Sequence, residues 1–254
     1  MPESLQLSIS NGVGLLSLNR PERRNAISEA MFEQLRKSVL ALDQDSAVRV
    51  IVLRSAVPTI FCAGADIETL ADPQPAKLQH QFELLVACVD AFRTTAKPVV
   101  TVIQGDCLGA GCSLAAASDV VIAGTSARFA LPEVFLGMAP VLAMAALAPV
   151  VSMRNLIYWS TTGRYVPAHE ARDAGLVTLV VPDAELETRT TGLTDDLSRH
   201  SGAALDSVKR AGELLGKYSV NVDSQALMKA MLATATHPEA RKAIAHFLER
   251  KRRT

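Results

Sequence analysis

Two short glycine-bearing segments constrain this chain more than any other feature: Phe61-Cys62-Ala63-Gly64-Ala65-Asp66-Ile67 and Gly105-Asp106-Cys107-Leu108-Gly109-Ala110-Gly111-Cys112-Ser113. Each follows a β-branched run that reads as a buried strand, Val48 to Leu53 and Val99 to Ile103, and each precedes residues able to start a helix. Strand-to-helix turns of this kind point backbone N–H groups at one place. Two of them side by side supply converging donors with almost no side-chain bulk, which suits a carbonyl oxygen that gains negative charge during a reaction. A glycine alone marks only a tight turn; the pair, in this order with these flanks, predicts an oxyanion site.

The rest of the chain reads as a layered α/β structure. Residues 5 to 18 alternate around Asn11-Gly12, a two-residue hairpin signal. Ser28 is placed to cap a helix whose Met31, Leu35, Val39 and Leu42 share one face. Then come a strand over Val48 to Leu53, an amphipathic helix from about Ala76 to Arg93, and the strand Val99 to Ile103. The small-residue helix Leu114 to Ala117 and the strand Val120 to Ala123 follow. Strand, strand, helix units therefore recur through the first two-thirds. Beyond about Ala184 only helical patterns remain: Leu205 to Tyr218, Val222 to Thr234 after the possible cap Asn221, and Pro238 to Arg250. Pro238 stands where a first-turn proline is tolerated. The expected division is 1–183 as the α/β core bearing the site and 184–254 as a helical segment. The apolar faces of that segment exceed what the core covers, which points to subunit contacts.

Composition narrows the partners. The 254 residues carry 26 Lys plus Arg against 26 Asp plus Glu, a formal net charge of zero, which gives no support to a nucleic-acid or anionic-membrane partner. No apolar run is long enough to span a bilayer, Met138 to Val151 coming nearest, and the start lacks the basic and apolar pattern of a signal peptide. A soluble, cytoplasmic protein is expected. The four cysteines, Cys62, Cys88, Cys107 and Cys112, form no CxxC pair and have no neighbouring histidine. They read as small buried hydrophobes with neither metal-ligand spacing nor an activated thiol.

Further segments join the two glycine turns: Ser17-Leu18-Asn19-Arg20-Pro21-Glu22-Arg23-Arg24-Asn25-Ala26-Ile27, Lys97-Pro98-Val99-Val100, Ser118-Asp119-Val120-Val121-Ile122-Ala123, Phe129-Ala130-Leu131-Pro132-Glu133 and Ala171-Arg172-Asp173-Ala174-Gly175-Leu176-Val177. Together, and in this order, they resemble the enoyl-CoA hydratase/isomerase (crotonase) family over nearly the whole chain. The resemblance implies an α/β crotonase-like (ClpP/crotonase) fold of repeated β-β-α units with an α-helical C-terminal segment. In the family that segment mediates a homotrimer, and two trimers often make a hexamer. The implied substrate is an acyl-CoA thioester, so coenzyme A arrives as part of the substrate and no separate cofactor is implied. Its carbonyl sits in an oxyanion hole of two backbone N–H groups, here matched by Ala63 and Ala110, each worth roughly 3 kcal/mol against developing charge. Gly64, Gly109 and Gly111 let the thioester approach the main chain.

For the coenzyme, the resemblance points to Arg24 at the phosphates and to Ala65, Asp66 and Ile67 at the adenine. Asp66 reads more as the cap of the following helix than as a chemical group. Phe247 and Arg250 match a segment that reaches the coenzyme from the same or a neighbouring subunit, although basic residues at a helix end also suit its dipole.

Glu133 is the candidate acid–base residue. It lies in an apolar stretch from Phe129 to Pro140, where burial should raise its pKa toward neutrality. Hydratases of the family carry a second glutamate twenty positions earlier, and Ser113 stands there instead, able at most to hold a water or a substrate group. Met138 to Met144 replaces the Gly-Gly-Thr-Gln pattern of hydratases and is either the lining of a greasy acyl pocket or a core helix. A single carboxylate suits transfer of a 3-enoyl double bond to the 2 position; hydration is best served by two. The leading expectation is an enoyl-CoA isomerase. Alternatives are a hydratase for an unusual acyl group, with Ser113 and Glu133 sharing the water, and a CoA-binding protein that has lost activity.

Overall fold

The structure is a computed structural model that describes residues 4–70, 74–214 and 224–253. Tyr218, Asn221 and Val222, part of the expected helix boundaries, lie outside the described residues. Strands β1 (Leu5–Ser10) and β2 (Val13–Leu18) pair antiparallel, with Leu5 opposite Leu18. Asn11 and Gly12 join them at φ 49° and 78°, both left-handed as a two-residue hairpin turn requires. Helix α1 (Glu29–Gln44) starts where expected: the Ser28 Oγ accepts the Met31 N–H at 3.3 Å, and Met31, Phe32, Leu35, Val39 and Leu42 are buried.

Three β-β-α units follow. The first is β3 (Val50–Ser55), β4 (Ile60–Cys62), and the helices α2 (Ile67–Leu70) and α3 (Pro75–Thr94). The second is β5 (Val99–Ile103), β6 (Asp106–Leu108) and α4 (Ala110–Ala117). The third is β7 (Val120–Gly124), β8 (Arg128–Ala130), a 3-10 turn over Pro132–Leu136 and α5 (Val141–Leu147). Then come α6 (Met153–Thr162), β9 (Val166–Pro167), α7 (Ala168–Asp173) and β10 (Leu179–Val181). Helices α8 (Leu186–Arg199), α9 (Gly202–Leu214), α10 (Ser224–Thr236) and α11 (Pro238–Arg253) complete the described chain.

Each unit places one strand in each of two sheets. The six-stranded sheet runs β1-β2-β3-β5-β7-β10 and is parallel from β2 onward; the four-stranded sheet runs β4-β6-β8-β9. This corrects the sequence reading at the glycine turns, which it joined directly to the long strands. The turns instead leave the three-residue strands β4 and β6, parallel neighbours in the smaller sheet, and that pairing brings them side by side.

The large sheet is buried on both faces at β3, β5 and β7, while β1 at its edge is exposed beyond Leu5. Ile51 and Leu53 point into the main core, whereas Val50, Val52, Val100 and Ile122 pack with Leu186 and with Leu193 and Leu197 of α8. Burial on both sides is why β3 and β5 read as continuous apolar runs. Helices α10 and α11 add Met231, Ala235, Ala240 and Ile244 to the main core, so much of the apolar face expected to be surplus is covered within the chain.

Candidate active site

The first glycine turn lies alongside the loop before α1. The Ala63 N–H donates to the Arg24 carbonyl at 3.0 Å, the Ile27 N–H to the Gly64 carbonyl at 2.8 Å, and the Asp66 N–H to the Ile27 carbonyl at 2.9 Å. Asn25, buried at a left-handed φ of 54°, fixes that loop: its Oδ1 accepts the Arg20 N–H, and its Nδ2 donates to the Ser55 Oγ and the Phe61 carbonyl. Ala63 is therefore engaged, and its expected place as an oxyanion donor is corrected. The Gly64 N–H goes to the Cys62 Sγ at 3.3 Å, and the Ala65 N–H meets no acceptor among the described residues.

The second turn opens α4. Ser113 N–H bonds back to the Gly109 carbonyl at 3.2 Å, and Ala110, the first helical residue, keeps its N–H outside the helix ladder. The two turns face each other closely. A Cβ on Gly64, whose φ is 100°, would lie 3.9 Å from the Ala110 nitrogen, and one on Gly109 would lie 3.8 Å from the Gly64 Cα.

A cavity of about 660 Å³ opens beside them. Ala63, Gly64, Ala65, Asp66 and Ile67 line it from the first turn; Gly109, Ala110 and Ser113 line it from the second. Arg24, Glu133, Phe247 and Arg250 also line it, so α11 reaches the site of its own chain. Gly111 does not. A Cβ there would sit 2.9 Å from the Cys62 Cβ, so this glycine lets α4 pack on β4 and takes no place in the cavity wall.

Glu133 occupies the 3-10 turn after β8, with Gly137 closing that turn against Ala240 of α11. Its Oε1 would meet a Cβ on Gly109 at 2.7 Å, which places the carboxyl beside the Ala110 end of the donor pair. The Oε2 is buried without a partner, and burial pushes the Glu133 pKa up to about 7. Ser113 is fully buried and its Oγ also lacks a partner. Asp66 caps α2, as read from sequence: its Oδ1 accepts the Glu68 N–H, while its Oδ2 accepts from Arg20 at 2.7 Å. Arg24, 62% exposed, donates to the buried Asp106 at 3.2 Å, and Arg128 holds the same carboxylate from the other side.

The segment Met138 to Met144 borders the cavity and also enters the core. Met138, Pro140, Leu142 and Ala143 line the cavity, and the helix they begin also packs into the core. Burial pushes the Cys62 and Cys88 thiols up to about 12 and Cys107 well above its ordinary value, so these are packed thiols with no nucleophilic character. Sequence reasoning missed Gln81 and His246, which also line the cavity. The available signal for Gln81 was a polar residue in the apolar stripe of α3; His246 on α11 carried none.

Two interleaved sheets built from β-β-α units, with two glycine turns meeting beside one cavity, define a crotonase-type fold. The chain belongs to the enoyl-CoA hydratase/isomerase family, which it matches over residues 8–254, and it is an enzyme of acyl-CoA chemistry. It is 35% identical over 209 residues to 2,3-dehydroadipyl-CoA hydratase of Escherichia coli (strain K12), covering 82% of this chain and 80% of that one. Identity to probable enoyl-CoA hydratase 2, mitochondrial, of Arabidopsis thaliana is 29% over 205 residues, covering 79% and 67%. Among solved structures, an enoyl-CoA hydratase from Mycobacterium avium superposes with a TM-score of 0.86 at 29% identity, covering 98% of each chain. Among the described residues no helix is long and apolar enough to cross a membrane, and no group of three or more His, Cys, Asp or Glu is arranged to hold a metal ion.

Proposed function

We propose that this enzyme moves the double bond of a 3-enoyl-CoA thioester to the 2 position, with Glu133 as the proton-transfer group. The observation that carries the reading is the state of the carboxylates at the cavity. Asp66 is paired with Arg20, and Glu22 is 66% exposed beside the same arginine. The Glu133 Oε2 is buried without a partner, and Ser113 stands where hydratases carry a second glutamate.

The chemistry follows from the geometry. The thioester oxygen takes hydrogen bonds from the Ala65 and Ala110 N–H groups, which strengthen as charge develops on it. Glu133 removes a proton from C2, the electron pair moves onto that oxygen as an enolate, and the same carboxyl returns the proton to C4. A carboxyl with a pKa of about 7 is well matched to accept and return a proton near neutral pH. No oxidation state changes, so the reaction calls for no redox group, and coenzyme A enters only as part of the substrate. Arg24 is the proposed phosphate contact, and Ala65, Ile67, Phe247 and Arg250 the residues that border the coenzyme.

Hydration is the second reading, supported by the unpartnered Ser113 Oγ in the same cavity and by the relatives named as hydratases. Turnover against matched 2-enoyl and 3-enoyl thioesters, with products resolved by chromatography, separates the two.

The family resemblance further supports a homotrimer or a dimer of trimers. Phe135, Met153, Ile157, Tyr158 and Tyr165, on and beside α6, are large apolar residues left exposed on the single chain, and subunit contact would cover such a surface. Light scattering on the purified protein tests this, and a monodisperse monomer at micromolar concentration contradicts it.

A further inference from the structure

One side chain in the cavity wall has no place in the proton chemistry. Leu78, Gln81, Leu85, Cys88 and Phe92 repeat at helical spacing along α3, and all five are buried. Four are apolar. Gln81 is 1% exposed, lines the cavity, and has no hydrogen-bond partner at either Oε1 or Nε2. An amide so placed gives up its bonds to water without replacement, whereas leucine or methionine would fill the same stripe at no such cost.

We propose that Gln81 selects the acyl chain by receiving a neutral hydrogen-bonding substituent, a hydroxyl, carried on the acyl group. The inference rests on the reading of this cavity as the acyl-CoA site. An amide offers two donor hydrogens and an acceptor oxygen, and a hydroxyl both accepts and donates, so the pair satisfies both ends. A plain hydrocarbon leaves the amide unpaired. A carboxylate would need a cation beside it. From α3 and the helices packed on it the cavity takes Phe82, Leu85, Leu142, Ala143 and Met231, whereas its Arg23, Arg24, His246 and Arg250 come from the turn before α1 and from α11.

The test is calorimetric binding of saturated acyl-CoA thioesters of equal chain length, plain or hydroxylated at successive carbons. Wild type, Gln81→Leu and the closer isostere Gln81→Met are compared. Saturated chains report binding whether the enzyme isomerises or hydrates. At one hydroxyl position wild type should bind at least about tenfold tighter than the plain chain, the ratio expected for one satisfied buried polar group. Both variants should lose that preference while binding the plain chain equally well or better. Equal binding of plain and hydroxylated chains by wild type overturns the role of Gln81 and leaves the acyl-CoA reading standing, as does a hydroxyl preference that survives both substitutions. Failure of every thioester to bind overturns both.

Discussion

Ala63 donates its backbone N–H to the carbonyl oxygen of Arg24 at 3.0 Å, and this bond takes Ala63 out of the proposed donor pair. Two residues on, Ala65 lies in the same turn with its N–H outside that zipper, across from Ala110. Position in a motif and availability of the hydrogen are different properties, and only the second can hold an oxyanion.

Replacing the peptide N–H of residue 65 by an ester oxygen should therefore lower kcat by roughly 10²- to 10³-fold, the usual cost of one lost oxyanion donor. The same replacement at residue 63 should leave kcat within a few-fold and cost about 1 kcal/mol of stability, the net value of one backbone hydrogen bond. Steady-state kinetics and denaturant unfolding on both esters check the pair.

The pKa of about 7 at Glu133 predicts the pH profile. The base must be ionised to take a proton, so kcat/KM should rise with pH, be half-maximal near pH 7, and fall tenfold per unit well below it. Stability has the opposite sign. The folded carboxyl holds its proton to about pH 7 and the unfolded one only to its ordinary 4.5, so stability is highest below 4.5 and is lost as pH rises to about 7. The loss is on the order of 3 kcal/mol at most. Glu133→Gln should accordingly raise Tm at pH 8 and change it little at pH 4.5, which thermal melts at the two pH values measure.

Gly109 and Gly111 should separate activity from packing. Gly109 has φ 49°, and a Cβ there meets the Glu133 carboxyl at 2.7 Å, so Gly109→Ala should cost at least about tenfold in kcat by displacing the base. Gly111 touches only the β4 and β6 cysteines among its nearest contacts, so Gly111→Ala should destabilise the fold through overpacking by about 1–3 kcal/mol and lower Tm accordingly. The protein that remains folded should keep a near-normal KM. Kinetics and melting curves on both variants distinguish the two outcomes.

Much of this architecture was legible before any coordinates. The Asn11-Gly12 hairpin, the Ser28 cap, α3 and β5 follow from turn chemistry and period, and these signals are local. The smaller sheet was not legible, because β4, β6 and β8 have three residues each and too short a run shows no alternation. Helix α8 was hidden for a related reason: only Leu186, Leu193 and Leu197 mark its buried side in an otherwise polar sequence. Glu133 was readable as a carboxylate in an apolar stretch. The occupancy of the Ala63 N–H was not, since its acceptor is Arg24, nearly forty positions away.

Arg24 and Asp106 set up a graded test of coenzyme binding. Arg24→Ala removes the proposed phosphate contact and should weaken acyl-CoA binding about tenfold, less so at high salt. Asp106→Asn leaves the cation in place and removes the charge that tethers both it and Arg128, so its effect on binding should be smaller. Calorimetric titrations at two ionic strengths rank the variants, and an equal or larger loss for Asp106→Asn contradicts the assignment.

The most direct measurement is the rate of 3-enoyl-CoA isomerisation relative to 2-enoyl-CoA hydration by wild type, Ser113→Ala and Glu133→Gln, with products resolved chromatographically. Wild type should isomerise faster than it hydrates. Glu133→Gln should lose roughly 10²- to 10⁴-fold in isomerisation while still binding acyl-CoA, and Ser113→Ala should lose far less. Faster hydration than isomerisation by wild type, or greater damage from Ser113→Ala than from Glu133→Gln, would contradict a single-carboxylate isomerase.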